Sequence, residues 1–204
     1  MIALLAAVPE ETKLIRESLE DVQESKTAGL SLTTGAINGQ QVCLTHSGVG
    51  KAAAAAATVS LLLSCKPKAL ILFGCGGAYP NSGMQIGDLA IADSELFGDE
   101  GVATLNGFQD LAAMGLAMRE ENAPLFNRWP TDSKLFQWAT TEFPIMNQGA
   151  FVTISTCTGT TEKALELEKR TGGICENMEG AAVALACRQL AIPMLEIRGI
   201  SNMV

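Results

Sequence analysis

The sequence has little of what nucleic-acid binding or membrane insertion requires. Its 204 residues contain 14 Lys and Arg against 22 Asp and Glu, a formal net charge of -8, and the cations are scattered. Nucleic acids and anionic membranes need clustered cations, so neither is expected as a partner. No apolar run reaches the ~18 residues of a membrane-spanning helix. The expected partner is therefore a small molecule.

Metal-binding and secretory signals are scarce as well. There is one His, and the six Cys show no CxxC spacing, so we predict no metal, no cofactor and reduced thiols in a cytoplasmic protein. The apolar run Ile2–Val8 has no Lys or Arg before it and is followed at once by Pro9-Glu10-Glu11. It is interpreted as a buried strand rather than a signal peptide.

Short apolar segments alternate with amphipathic ones. Strands of the buried, parallel type are predicted at Ile2–Val8, Ala69–Phe73, Leu89–Ala92, Phe151–Ile154 and Pro193–Ile200. Helices are predicted at Glu10–Val22, Gly50–Cys65, Thr161–Thr171 and Glu179–Leu190. This alternation predicts an α/β fold, a three-layer sandwich with a mixed central sheet, as a single domain over residues 1–204.

Two further segments shape the predicted fold. Leu30–Ile37 and Gln40–His46 are separated by Asn38-Gly39, a dipeptide that favours a two-residue type I′ turn, so a hairpin is predicted. Phe97–Met146 has little periodicity. It is either a mobile excursion that covers the substrate or an ordinary pair of surface helices.

Two glycine-rich segments invite comparison with phosphate loops. Ser47–Ala52 is not a Walker loop, because Thr45 stands at the required first glycine and Ala52 at the Ser or Thr that binds the metal. The segment containing Gly76 and Gly77 follows a predicted strand. Its small residues let backbone amides approach a ligand at the sheet edge, or else serve only a tight crossover.

Two charged residues stand at informative positions. Glu179 lies where a short strand gives way to a helix, at the mouth of the sheet, and is either a ligand-binding carboxylate or a favourable charge at the helix start. Arg198 lies in an apolar strand and needs an anionic or polar partner, for which Glu11 is a candidate.

Six spaced motifs together resemble the purine nucleoside phosphorylase/uridine phosphorylase superfamily. They are Glu10-Glu11, Ser47–Lys51, Gly74–Gly77, Gly87-Asp88, Asn177–Gly180 and Arg198–Asn202. Within the superfamily, the nucleosidase branch is the nearest, and the segments Gly76–Pro80 and Arg198–Asn202 most closely resemble futalosine hydrolase.

The resemblance implies roles for individual residues. Glu11 matches the carboxylate that activates water, and Arg198 helps to hold the water network. Glu179 matches the residue that binds the ribose 2′ and 3′ hydroxyls, and Met178 packs on the sugar. Asn202 stands where adenine-specific relatives carry an aspartate that protonates the base at N7, and is assigned a catalytic role or is a bystander.

The resemblance also suggests where the rest of the substrate binds. Thr158 falls near the segment that flanks the purine, and Val49 is a candidate contact of the 5′ substituent. Cys75 replaces a hydroxyl residue and is expected to be a small buried thiol. Relatives continue past the position of Val204, so the C-terminal helix of the family is expected to be missing here. A homo-oligomer is expected.

Hydrolysis is favoured over phosphorolysis, because Val8–Glu11 stands where phosphorylases carry Gly-Asp-Pro-x-Arg, and a carboxylate repels phosphate. The carboxamide of Asn202 can donate to both N7 and a 6-keto oxygen, which favours hypoxanthine. The prediction is therefore a hydrolase that releases hypoxanthine from futalosine, in the alternative route to menaquinone. A methylthioadenosine/S-adenosylhomocysteine nucleosidase and a non-catalytic nucleoside-binding protein are the alternatives.

Overall fold

The structure is a computed structural model that describes residues 1–121 and 123–204. The strands in this part of the chain are β1 (Ile2–Ala6), β2 (Glu20–Thr27), β3 (Leu30–Ile37), β4 (Gln40–His46), β5 (Leu70–Ala78), β6 (Leu89–Phe97), β7 (Gly101–Thr104), β8 (Gly107–Asp110), β9 (Arg128–Pro130), β10 (Asn147–Thr153), β11 (Gly173–Asn177) and β12 (Met194–Met203). The helices are α1 (Lys13–Glu17), α2 (Lys51–Cys65), α3 (Ser133–Glu142), α4 (Thr161–Thr171) and α5 (Gly180–Gln189). None of these helices is long and apolar enough to cross a membrane.

A mixed sheet forms the centre of the fold. Its strand order is β11-β10-β6-β12-β5-β1-β4-β3-β2, and β9 adds to β6. Strand β1 is parallel to both β4 and β5, and β12 is parallel to β5. The sheet also closes on itself, because β11 pairs antiparallel with β5 as well as parallel with β10. The carboxyl ends of β1, β5, β11 and β12 thereby meet at one place.

Successive side chains of a strand point to opposite faces, and the layers follow from this. Ala3 and Leu5 of β1 face the core formed with α2 and α5, whereas Leu4 between them packs in the cluster that includes Ile15 of α1. Helix α3 covers the second face further along the sheet, where Ala139 packs with Ile91. The predicted fold class, an α/β sandwich with a mixed central sheet, is confirmed.

The hairpin prediction agrees with the structure. β3 and β4 pair antiparallel, with Ile37 opposite Gln40. Asn38 and Gly39 have φ angles of 48° and 77°, and type I′ turns require positive φ at both positions. Strand β5 is longer than predicted, because the glycine-rich segment that was expected to follow the strand belongs to it.

The predicted helix Glu10–Val22 is wrong. The chain forms a 3₁₀ turn at Pro9–Thr12 and the short helix α1, and then the strand β2. β2 lies at the sheet edge with its side chains exposed, so its sequence lacks the apolar alternation that would have marked a strand. Pairing with β3 overrides the local helical pattern.

The segment Phe97–Met146 does not form the pair of surface helices that was one of its two expected structures. Its described residues form the β7–β8 hairpin, the strand β9 beside β6, and one helix, α3, rather than a pair of helices. The helix begins at Asp132, whose side chain accepts hydrogen bonds from the amides of Lys134 and Leu135. Asp is one of the residues that helix N-caps prefer.

Candidate active site

One cavity of about 260 Å³ lies where the carboxyl ends of β1, β5, β11 and β12 meet. Its lining includes all nine residues that the sequence singled out, namely Glu11, Val49, Gly76, Gly77, Thr158, Met178, Glu179, Arg198 and Asn202. These residues come from segments that are far apart in the chain. The parallel strands β1, β5 and β12 expose their carboxyl ends at one edge, so residues that follow them meet there. β11 runs antiparallel to β5 and reaches the same place because its carboxyl end pairs with that of β5.

The position of Glu11 is fixed by backbone amides. Its Oε2 accepts hydrogen bonds from the amides of Ala7 at 2.9 Å and Val8 at 3.2 Å, and its Oε1 accepts one from the amide of Cys75 at 2.8 Å. The first two donors follow β1, and the third belongs to β5. A carboxylate held by rigid backbone donors can meet a bound water molecule in a defined geometry.

Gly74 provides the space in which Glu11 and Arg198 come together. A Cβ atom at this position would lie 2.5 Å from Glu11 Oε1 and 2.8 Å from Arg198 Nη1. Both distances are too short for a carbon atom, so any side chain would displace the two functional groups. The glycine is required here for close approach rather than for turn geometry.

Glu179 precedes α5, but its side chain does not cap the helix. Asn177 Oδ1 accepts from the amides of Glu179 at 3.0 Å and Gly180 at 2.8 Å, which satisfies the first turn. The Glu179 carboxylate turns to the cavity instead. Its Oε1 accepts from the amide of Gly50 at 3.0 Å, and its Oε2 from Arg198 Nη2 at 3.2 Å. The simpler interpretation, a favourable charge at the helix start, does not account for these contacts.

Arg198 is 2% exposed and makes two further contacts. Its Nε donates to Glu196 Oε1 at 2.8 Å, and its Nη1 donates to the carbonyl oxygen of Cys75 at 3.0 Å. The expectation that Glu11 is its ionic partner is wrong, since the ion pairs are with Glu179 and Glu196. A signal was present, because residues two apart in a strand share a face, and Glu196 precedes Arg198 by two.

A second carboxylate on the cavity wall, Glu176, was missed from the sequence. Its Oε1 accepts from the amide of Thr158 at 3.0 Å, and its Oε2 from the Thr158 hydroxyl at 2.6 Å and the Tyr79 hydroxyl at 3.0 Å. Burial and the neighbouring Glu176 raise the pKa of Tyr79, so the phenol remains a donor. These bonds fix the segment that carries Thr158 against the cavity.

Asn202 lies on the opposite side of Gly77 from Glu176. Gly77 of β5 is in register with Asn202 of β12 on one side and with Glu176 of β11 on the other. Asn202 Oδ1 accepts from the Ser201 hydroxyl at 2.9 Å, and Nδ2 donates to the carbonyl of Met203 at 3.1 Å. One N–H and one lone pair of the amide remain for a ligand.

Cys75 differs from the expectation of a small buried thiol. Its side chain is exposed and lines the cavity, because the alternation along β5 turns it away from the core. Cys157 also lines the cavity, with its Sγ 3.5 Å from Sδ of Met178. No group of three or more His, Cys, Asp or Glu within residues 1–121 and 123–204 is arranged to hold a metal ion.

The lining that sequence reasoning missed consists of Ala7, Val8, Cys75, Cys157, Glu176, Asn177 and Ser201. Ala7, Val8 and Cys75 hold Glu11 through backbone amides, which no side-chain motif reveals. Asn177 and Ser201 adjoin predicted site residues and belonged to the quoted motifs.

Comparison with known proteins places this chain in a family. A model of the phosphorylase superfamily matches residues 1–204. A 5′-methylthioadenosine/S-adenosylhomocysteine nucleosidase of Psychromonas ingrahamii is 31% identical, over 98% of this chain and 85% of its own. The crystal structure of the Streptococcus pneumoniae MTA/SAH nucleosidase in complex with 8-aminoadenine superposes with a TM-score of 0.84 at 28% identity, over 98% of this chain and 85% of that one.

These relatives correct the predicted substrate. The prediction of futalosine was wrong, since relatives at 26–31% identity over nearly the whole chain are named MTA/SAH nucleosidases. A futalosine hydrolase mutant of Helicobacter pylori has a TM-score of 0.80, but its 21% identity shows the fold alone. The error lies in the argument from Asn202, because an asparagine amide also pairs with the N7 and 6-amino edge of adenine.

The superfamily and its nucleosidase branch are confirmed, and with them the catalytic rather than the binding-protein interpretation. The chain belongs to the phosphorylase superfamily, within which it is an N-glycosyl hydrolase of purine nucleosides.

Proposed function

We propose that the protein hydrolyses 5′-methylthioadenosine and S-adenosylhomocysteine and releases adenine from each. The observation that carries this proposal is the convergence of two fixed carboxylates, Glu11 and Glu179, with Arg198 on one cavity. The relatives whose names specify this activity span almost the entire chain, which supports the substrate class.

The ribose half of the reaction uses the two carboxylates differently. Cleavage of the N-glycosidic bond gives a ribosyl group with oxocarbenium character, which negative charge stabilises. Glu179 accepts hydrogen bonds from the 2′ and 3′ hydroxyls and holds the sugar. Glu11 takes a proton from the water that attacks C1′ of the ribose. Arg198 keeps Glu179 in place through the 3.2 Å contact between Nη2 and Oε2.

The purine base is recognised by the hydrogen-bond donor and acceptor of Asn202 that have no partner among the residues that the structure describes. Its remaining N–H donates to N7, and its remaining lone pair accepts from the 6-amino group, an arrangement that an amide offers to adenine. An amide cannot supply a proton at N7. The departing adenine is therefore stabilised by a hydrogen bond rather than by direct protonation from this residue.

The test is adenine release from the two nucleosides by the purified protein, with and without inorganic phosphate. We expect release from both, at a rate independent of phosphate. Glu11→Gln removes the base and should lower kcat by about 10²–10⁴-fold, the usual contribution of general-base catalysis. The exposed neighbour Glu10, changed to Gln, is the matched control and should keep the wild-type rate. The proposal is contradicted if one of the two nucleosides releases no adenine, or if adenine is released only when phosphate is present.

The homo-oligomer is part of the same proposal. Trp138, Phe143 and Ile145 are 55%, 47% and 85% exposed, and the rings of Trp138 and Phe143 are 6.3 Å apart. Contiguous exposed apolar side chains are typical of surfaces that associate. Light scattering on the purified chain should give more than the 21.4 kDa of one copy. A mass of one copy contradicts this part of the proposal and leaves the reaction untouched.

A further inference from the structure

A second pair of carboxyl groups lies beneath the cavity and has no part in the reaction as described so far. Glu95 of β6 and Glu196 of β12 are both 0% exposed. They meet at Gly180, where a Cβ atom would overlap Glu196 Oε2 and the carboxyl group of Glu95. Two buried carboxylates without a proton between them would repel each other strongly.

The contacts of Glu95 require one more hydrogen than the neutral side chains supply. Thr153 Oγ1 lies 2.6 Å from Glu95 Oε2 and 3.0 Å from Asn177 Oδ1, and it already accepts the amide of Ala181 at 2.8 Å. A single hydroxyl hydrogen can serve only one of the two oxygen contacts. The orientation of Asn177 is fixed, because its Oδ1 accepts two backbone amides. A proton on Glu95 supplies the missing hydrogen.

Glu196 points to the same conclusion. Its Oε1 accepts from Arg198 Nε at 2.8 Å, but its Oε2 has no hydrogen-bond partner in the described part of the chain. Buried carboxylate oxygens are rarely left in this way, since the unmet hydrogen bond is costly. The nearest group at Gly180 that can carry a proton is the carboxyl group of Glu95, whose single proton serves Glu196 from Oε1 or Thr153 from Oε2. Either position of the proton makes Glu95 neutral.

We propose that Glu196 is a positioning residue of the hydrolysis, which fixes the guanidinium of Arg198 under the ribose site, and that Glu95 carries the proton that keeps this pair together. With Glu95 neutral, Arg198 balances Glu196 and leaves the charge of Glu179 for the sugar. With Glu95 ionised, a third carboxylate competes for the same guanidinium, and Arg198 is drawn away from Glu179.

The groups that face Glu95 come from four neighbouring elements. Glu196 and Arg198 lie on β12, and the buried thiol of Cys175 lies on β11. Glu179, at the start of α5, acts on the partner Glu196. β10 and β11 contribute the neutral side chains Thr153 and Asn177. Burial, together with the charge of Glu196, raises the pKa of Glu95 well above its ordinary value. Glu95 therefore loses this proton at a higher pH than an ordinary carboxyl group does.

The proton is tested without any substrate. Infrared spectra of the wild-type protein at neutral pH should show the C=O stretch of a protonated carboxyl group, and Glu95→Gln should remove it. The exposed Glu142 of α3, changed to Gln, is the control and should leave the band in place. Absence of the band in the wild type, or its survival in Glu95→Gln, overturns the assignment.

The positioning role of Glu196 is tested by measuring whether its substitution changes kcat more than KM, with the proposed nucleosides as substrates. Glu196→Gln removes a charge-assisted hydrogen bond to Arg198 and should lower kcat by about 10–100-fold, with a smaller change in KM. Glu196→Asp keeps the charge but shortens the side chain, so it should also lower kcat and serves if the first variant fails to fold. An unchanged kcat in either folded variant overturns the role.

A third experiment tests whether the hydrogen that Glu95 donates is needed for activity, by comparing kcat of Glu95→Gln with kcat of Glu95→Ala. Glu95→Gln offers an N–H where the acid offers an O–H, so its kcat should exceed that of Glu95→Ala by about tenfold or more. The wild-type kcat should fall as the pH rises and Glu95 loses its proton, and Glu95→Gln should lack this fall. Identical pH profiles overturn the proposal. This part rests on the proposed substrates, whereas the infrared result does not, so failure of one is distinguishable from failure of the other.

Discussion

Glu11 and Cys75 are joined by a hydrogen bond of 2.8 Å from the Cys75 amide to Glu11 Oε1, across 64 residues of sequence. The carbonyl oxygen of the same Cys75 accepts from Arg198 Nη1 at 3.0 Å. One residue of β5 thus positions both Glu11, to which we assign the activation of water, and Arg198, which we place behind the proposed ribose site. The backbone of β5 acts here as part of the active site, and the Cys75 side chain is dispensable for this contact.

The first prediction concerns Gly74, which leaves room for this arrangement. Gly74→Ala places a Cβ 2.5 Å from Glu11 Oε1 and 2.8 Å from Arg198 Nη1, so both groups must move. Misplacing a catalytic group by about 1 Å can cost about 10²-fold, and kcat for adenine release should fall by about that factor. Gly199→Ala in the neighbouring β12 is the control, because its Cβ would approach Leu89 Cδ2 at 3.9 Å, an ordinary contact. Equal activities of the two variants would contradict the prediction.

The second prediction concerns the base. Asn202→Asp introduces a group that can protonate N7, and general acids contribute about 10²–10⁴-fold where they act. We expect kcat to rise by about tenfold or more in mildly acidic solution and to decline as the new carboxyl group ionises. Asn202→Ala should lower kcat at every pH, since it removes both hydrogen bonds. A pH profile in which Asn202→Asp never exceeds the wild type would argue against Asn202 as a contact of N7.

The third prediction is the effect of pH on stability. The pKa of Glu95 is raised in the folded protein by burial and by Glu196, so the folded protein binds a proton that the unfolded chain releases. The stabilisation is full below the unfolded pKa of about 4.3 and is lost as pH rises through the folded value. Thermal unfolding midpoints across this range should therefore fall more steeply in the wild type than in Glu95→Gln. Parallel curves would show that Glu95 is ionised in the folded state.

The fourth prediction weighs helix propensity against packing at Gly180. Replacing a helical glycine with alanine normally stabilises by about 1 kcal/mol. Here the added Cβ overlaps the carboxyl groups of Glu95 and Glu196, and overpacking costs about 1–3 kcal/mol. Gly180→Ala should therefore lower the free energy of unfolding in urea. Gly159→Ala, whose Cβ would meet nothing within 4 Å, should leave it nearly unchanged. A more stable Gly180→Ala would mean that the carboxyl pair can move apart.

Much of the site was predictable because chemistry-bearing residues follow strands. Glu179 follows β11, and a carboxylate at that junction is expected at the mouth of the sheet. Glu11 follows β1, and its role is implied by the family resemblance. The helix Thr161–Thr171 was predicted with the bounds that the structure shows, because its apolar positions are regularly spaced and a threonine and a glycine flank it.

The remaining features depend on pairing that is not local. β2 forms only because β3 offers an edge, and its exposed polar side chains give no strand signal. The ionic partner Glu196 lies only two residues from Arg198, but the sequence also offers carboxylates far along the chain, and only the strand pairing decides between them. The prediction of hypoxanthine from Asn202 was wrong for a different reason. The amide can pair with the N7 and 6-keto edge of hypoxanthine or with the N7 and 6-amino edge of adenine, so the sequence alone does not choose between the two bases.

The central claim is hydrolysis of a methylthioadenosine-type nucleoside with water activated by Glu11. Its most direct test is to react 5′-methylthioadenosine in water enriched in the heavy oxygen isotope and to weigh the sugar product by mass spectrometry. The account predicts adenine and a methylthioribose that carries one heavy oxygen at C1, with almost none formed by Glu11→Gln. Intact nucleoside, a phosphorylated sugar, or undiminished labelling by Glu11→Gln would contradict it.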